Sequence, residues 1–209
     1  MVRGQVRFPF TNPVQAPCVA PEILLAGVAG LIATAAYIPY LWKTWKRVTR
    51  PNRTTWWIYT VVGGVATASS YAAGARWTLV VPLVYVIGSL VVALLAIRRG
   101  EGGSSWLDRG CLATAAISIL VWQVSGDPLL AVIMNSFADI AGSVPTMLKA
   151  WRDPARENRW AWLMFFAANG CTLFLVPEWT LAFALYPSVL FFCATIIAAG
   201  CWSPSFRRR

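Results

Sequence analysis

The sequence predicts an all-α membrane protein with seven transmembrane helices, arranged as two parallel three-helix repeats joined by a linker helix. Three observations carry that expectation. First, the 209 residues are 58% hydrophobic and only 12% charged, with a mean hydropathy of +0.59. A soluble domain carries charges about twice as often. Second, the charges are bunched between seven stretches: 23–42, 54–75, 77–97, 110–126, 129–148, 160–176 and 179–202, the fifth broken only by Asp139. Each approaches the roughly 20 residues that a helix needs to cross a bilayer. Third, the chain writes one unit twice. "AYIPYLWKTWKRVTRPNRTTWW" (36–57) and "GSVPTMLKAWRDPARENRWAWL" (142–163) align without a gap at an offset of 106. The alignment pairs Pro39 with Pro145, Lys43 with Lys149, Trp45 with Trp151 and Arg50 with Arg156, then Asn52 with Asn158, Arg53 with Arg159 and Trp56 with Trp162.

The elements follow in order. Residues 1–20 are too polar and proline-rich for a signal-peptide core and read as an N-terminal arm. Residues 21–98 hold the first three helices, 106–125 the linker helix, 127–202 the second three, and 203–209 form a basic C-terminal tail. The linker helix reaches Trp106 if Asp108 and Arg109 lie in the headgroup layer. The third helices of the two units also match, "RWTLVVPLVY" at 76–85 against "EWTLAFALYP" at 178–187. An odd number of helices written twice in succession would come out inverted. One extra crossing restores the orientation, so the repeats run parallel about an axis along the membrane normal, as in some transporters.

Basic residues set the orientation. The loops 43–53, 98–109 and 149–159 and the C-terminus carry 5, 3, 4 and 3 Lys/Arg, against only Arg3, Arg7 and Arg76 on the other side. That places the N-terminus outside and the C-terminus inside a bacterial inner membrane. The net charge of +10 then reflects topology and attraction to anionic lipids, and nucleic acid is not an expected partner. The chain has no His, five Cys without metal-type spacing, no acidic pair and no Gly-rich phosphate loop. No enzyme activity, metal or cofactor is expected on that basis. A retinal receptor is excluded because the seventh helix has no lysine for a Schiff base.

The 3+1+3 plan resembles the SWEET and PQ-loop superfamily, with a Pro near the inner end of the first helix of each repeat and a basic loop after it. The resemblance covers about 180 residues and is carried mainly by Pro39 and Pro145. The dipeptides are Pro39-Tyr40 and Pro145-Thr146, so no glutamine follows either proline, and 54–75 and 160–176 contain no proline. The segments "GDPLLAVIMNSFADIAGSVPTMLKAWRDP" and "YIPYLWKTW" look most like small bacterial membrane proteins of unassigned activity. The resemblance implies the seven-helix fold and a solute site between the repeats. Its members include sugar facilitators, amino-acid exporters, riboside carriers and a retrieval receptor.

Asp139 is the sharpest candidate for that site. It lies midway along 129–148, where a charge costs roughly 2.5–3.5 kcal/mol on insertion scales and faces a cavity or a partner. Asn135, Asp139 and Gly142 share one helix face, which Thr146 continues, whereas the matched first-repeat positions are Ala29, Ala33 and Ala36. The alternative is a structural Asp bonded to Asn169 or a nearby hydroxyl. Asn169 is central in the sixth helix and fits either ligand contact or interhelical bonding. Tyr37 and Tyr71, with Thr34, Thr60 and Thr67, make a hydroxyl-rich set on the first two helices, and Tyr85 and Ser89 add a pair on the third. Pro39 and Pro145 each remove a helix hydrogen bond and are candidate hinges; static kinks are the alternative.

The twelve tryptophans read mostly as aromatic belts, and Lys43, Lys149, Arg53 and Arg159 as residues reaching for headgroups. Asp153 and Glu157 are candidates to pair with first-loop arginines as an inner latch. The expected function is transport or facilitated passage of a small polar metabolite, proton-linked if Asp139 carries a proton. The alternative is a receptor-like binding or signalling module on the same fold. A small solute and anionic lipids are the expected partners, and the sequence is compatible with a homo-oligomer.

Overall fold

The computed structural model describes residues 21–72, 80–176 and 178–203. The N-terminal arm (1–20), Arg76, Trp77 and the tail from 204 onward lie outside the described residues, as do the side chains of Tyr71 and Pro82. The described chain is helical, with no strand. Its helices are α1 (Pro21–Trp45), α2 (Arg53–Ala72), α3 (Val80–Arg99), α4 (Trp106–Ser125), α5 (Pro128–Arg152), α6 (Arg159–Leu173) and α7 (Leu181–Trp202). A 3-10 turn at Pro154–Arg156 precedes α6. Three helices contain a run long and apolar enough to cross a membrane: Ile23–Trp45, Trp106–Ser125 and Phe183–Trp202.

Local chemistry sets the helix ends. Gly126 closes α4 in the left-handed region (φ 64°), Asp127 caps α5 by accepting from Leu129 N at 2.8 Å and Leu130 N at 3.2 Å, and Pro128 fills the first turn. α4 starts on a capping box. Ser105 Oγ accepts from Asp108 N at 3.1 Å, and Asp108 accepts from Ser105 N at 3.2 Å and Gly103 N at 2.8 Å. Asn52 and Asn158 cap matched helices, accepting from Thr55 N at 3.2 Å and Ala161 N at 3.4 Å. Past the end of α1, Arg47 takes φ 60°, a conformation unfavourable for a residue with a Cβ.

Arg53 does not reach for headgroups. It donates to the Ala96, Gly100 and Gly102 carbonyls at 3.0, 2.9 and 3.0 Å, and so fastens the start of α2 to the end of α3 and the turn after it. Arg159, its counterpart, lies over the rings of Trp160 and Trp202.

Packing follows one scheme twice. α3 packs against both α1 and α2, and α7 against both α5 and α6. The two triples meet where α1 faces α6 and α2 faces α5, with α4 lying on α5 and α2. Large apolar side chains cover the outside, among them Leu31, Ile38, Leu94, Leu120, Val124 and Phe192. The interior holds Thr44, Thr55, Ser136, Asp139, Ser143, Thr146 and Asn169. This is the reverse of the usual sorting in water. Two apolar clusters complete the core, one around Tyr37, Tyr40, Trp56, Trp162 and Phe165, the other between α2, α4 and α5 around Ile58, Val62, Cys111 and Ala138. Gly142 permits a close α5–α2 approach, since a Cβ there would lie 2.7 Å from Ile58 Cγ2.

Candidate functional site

Asp139 is the twelfth residue of the 25 in α5 and is 3% exposed. Its first-repeat counterpart, Ala33, is wholly buried at the matching place on α1. Asp139 Oδ2 is buried without a hydrogen-bond partner. The side chains that feel its charge come from two other helices, Tyr59 on α2 and Tyr186 and Cys193 on α7.

Donor bookkeeping explains why Oδ2 stays unmet. Ser143 Oγ donates to the Asp139 backbone carbonyl at 2.8 Å. The Tyr59 hydroxyl lies 2.7 Å from Ser143 Oγ, and because the Ser143 proton is already used, Tyr59 is the donor of that pair. The Tyr186 hydroxyl lies close to the Asn135 side chain. The neighbouring polar groups thus satisfy one another more than they satisfy the carboxylate.

Asn169 and Tyr37 sit in a second cluster. Tyr85 OH donates to Asn169 Oδ1 at 3.4 Å, and Tyr37 OH donates to the Tyr85 carbonyl at 3.2 Å. Tyr37 and Phe165 meet edge to face with ring centres 5.0 Å apart. The Tyr37 ring lies over Gly88, where a Cβ would be 2.4 Å from Tyr37 Cζ. Asp139 and Asn135 therefore stand together, and so do Tyr37 and Asn169. Thr67 is buried on α2, its hydroxyl donating to Gly63 O of its own helix at 2.7 Å. Pro39 and Pro145 both lie inside unbroken helices.

Comparison with protein-family models, with curated proteins and with solved structures finds no match to this chain.

Between the polar clusters and the basic loops lies a closed layer. Tyr40, Trp56 and Trp162 are 0%, 2% and 4% exposed. Trp56 Nε1 donates to Tyr40 OH at 3.2 Å, Tyr40 OH donates to Glu157 Oε2 at 3.2 Å, and Trp162 Nε1 donates to the same oxygen at 3.0 Å. Lys149 forms an ion pair with Glu157, lies 3.7 Å from Glu101 Oε1, and donates to the Arg50 carbonyl. Arg156 Nη1 pairs with Glu101 Oε2 at 3.1 Å, and its Nε with Asp153 Oδ2 at 2.7 Å. Thr146 Oγ1 donates to Thr55 Oγ1 at 2.9 Å and extends the closure between α5 and α2.

This layer corrects three expectations. Trp56 and Trp162 do not belong to the interfacial belt, because their indole N–H groups serve buried acceptors; Trp42, Trp45, Trp106, Trp160 and Trp179 are exposed. Lys149 is held in a buried pair rather than reaching outward, its side chain only 10% exposed. Asp153 and Glu157 pair with Arg156 and Lys149 of their own region, and the second basic loop is tied to the first unit by Glu101, after α3, by Tyr40 and by the Arg50 backbone. Tyr59, Ser143 and Tyr186 went unread as site residues, and Glu157 was read as a latch residue but with other partners. Ser143, one turn beyond Asp139, and Tyr59, the counterpart of Phe165, were the available signals.

Proposed function

We propose that the chain is an integral membrane transporter or facilitator that passes a small polar metabolite between two three-helix units. The observation that carries this reading is the buried carboxylate oxygen of Asp139, without a hydrogen-bond partner where α2, α5 and α7 converge. A polar group left unmet in a core costs roughly 1–3 kcal/mol, more when charged. Ala33 fills the equivalent place in the first unit. A carboxylate retained at such cost fits a residue that meets a solute or a proton.

The matched packing of the two triples supports the 3+1+3 plan. The α2–α5 pair Tyr59/Ser143 and the α1–α6 pair Phe165/Tyr37 occupy positions 106 apart in sequence, as two units related by a central axis would. In this reading all seven helices span the membrane, the basic loops face inward, and Asp139 and Asn135 contact the solute from one side and Tyr37 and Asn169 from the other. The resemblance to the SWEET and PQ-loop superfamily points the same way. The layer of Tyr40, Trp56, Trp162 and the Lys149–Glu157 pair closes the inner end of the path. Its opening and reclosing, with flexing at Pro39 and Pro145, delivers the solute.

The test is a counterflow screen. Protein in liposomes loaded with a pooled metabolite extract is assayed by mass spectrometry for accelerated exchange. The expected result is selective exchange of a small set of solutes, absent from empty liposomes. Folded protein that exchanges none overturns transport, and binding without exchange favours the receptor-like reading.

A further inference from the structure

The transport reading leaves the class of solute open. Resting on that reading, we propose that the solute is an organic cation, seated with its ammonium head on Asp139 and its carbon frame against the surrounding aromatic rings.

A buried carboxylate either takes a proton or, to stay ionised, needs a positive charge or several donors. Asp139 Oδ2 has no donor, and the nearest hydroxyls are committed, Ser143 to a backbone carbonyl and Tyr59 to Ser143. The groups that approach it are Tyr59 from α2, Asn135 and Ser143 from its own helix, and Tyr186 and Cys193 from α7. None of these is a cation. On the remaining flank, α4 packs Cys111 and Ala115 against Ala138, so that face is apolar. Lys149 lies ten residues further along α5, roughly 15 Å at helical rise, and is occupied by Glu157 and Glu101. Among the described residues the countercharge for Asp139 is not supplied by the protein.

The rings supply the second half. Tyr59 and Tyr186 lie near Asp139, and Tyr85, Phe165 and Tyr37, joined by the Tyr85–Phe165 and Tyr37–Phe165 ring contacts, lead to Asn169. Aromatic faces attract ammonium groups, most strongly when water is excluded. An uncharged solute leaves the carboxylate without a countercharge, and an anion is repelled by it. Asn169 at the far end of the rings, bonded through Oδ1 to Tyr85, gives a polar stop for a hydroxyl or carbonyl group on the solute tail.

The experiment compares charged and uncharged molecules of one shape. Purified full-length protein in detergent is titrated with choline and with 3,3-dimethylbutan-1-ol, its neutral carbon isostere, then with agmatine, glucose and acetate. Binding is followed by thermal shift and confirmed by isothermal titration calorimetry. The expected result is stabilisation by choline or agmatine and none by the isostere, glucose or acetate. In Asp139→Asn the cation affinity should fall by about ten- to a hundred-fold, as for loss of one charge-assisted contact. Asp139→Glu, checked for folding by circular dichroism and gel filtration, should retain part of it. Binding of glucose or the isostere as tightly as choline overturns the cation assignment and leaves the transport reading intact. Cation binding that survives Asp139→Asn overturns the assignment to Asp139. No binding of either cation overturns the inference, and if the counterflow screen also finds no exchanged solute, the transport reading falls with it.

Discussion

Replacing Glu157 by Gln removes the charge that neutralises Lys149 while keeping a side-chain oxygen for Tyr40 and Trp162. The Glu157 side chain is 0% exposed and that of Lys149 10%, so the pair is interior. Breaking such a pair by losing one partner costs roughly 3–5 kcal/mol, because the other charge is left buried and uncompensated. Glu101 stays 3.7 Å from Lys149 and is 25% exposed, which softens the loss, so the expected destabilisation is about 2–3 kcal/mol. For a chain of this size that lowers the midpoint of thermal unfolding by about 5–10 °C. The decisive assay is a double-mutant cycle with Lys149→Met, read by thermal unfolding in detergent. The double variant should regain most of the lost stability, a coupling of about 2–3 kcal/mol. About 0.5 M salt should change that coupling little, because a buried pair is weakly screened. Strictly additive single effects, or a coupling abolished by salt, would show that the pair is a surface feature and that the closed layer does not depend on it.

Three further outcomes are expected. Gly142→Val should lower stability by about 1–3 kcal/mol through overpacking on Ile58, and Ile58→Ala in the same chain should restore part of it. Arg47→Gly should raise stability by about 1 kcal/mol by relieving the left-handed backbone after α1, measured as a higher unfolding midpoint. In a cysteine-free background, cysteines at positions 103 and 126, at opposite ends of α4, should label from opposite sides of a sealed vesicle; labelling from the same side would remove α4 as a span.

The sequence made much of the framework legible. Bunched charges mark out the helices, and the 106-residue offset foretells that α1 and α5 bury the same face, with Ala33 standing where Asp139 stands. Asp139 itself is conspicuous because nothing else charged lies in its stretch. Partners across helices were harder to read, since they depend on how each helix is rotated against its neighbour, and linear spacing does not encode that. Tyr59 follows a Trp pair and looks like part of a belt, yet its hydroxyl reaches Ser143. Tyr186 precedes Pro187 and gives no signal of its own, but the packing of α7 between α5 and α6 brings it to Asn135. Glu157 stands among loop charges, and only the fold shows it drawn under Tyr40 and Trp162. The Arg53 interaction was hidden for a related reason: its target is a set of backbone carbonyls at the end of α3, and no side chain announces them.

The central claim is that solute passes between the two units as their seam opens. Thr55 and Thr146 face each other across that seam, joined by a side-chain hydrogen bond of 2.9 Å, which makes them the pair to replace by cysteines for a disulfide cross-link. In a cysteine-free chain carrying Thr55→Cys and Thr146→Cys, oxidation should tie α2 to α5 and hold the inner end closed. Exchange of the solute found by counterflow should then fall to the level of empty liposomes and return on adding reductant. A fully cross-linked protein that still exchanges solute at the reduced rate would contradict the account.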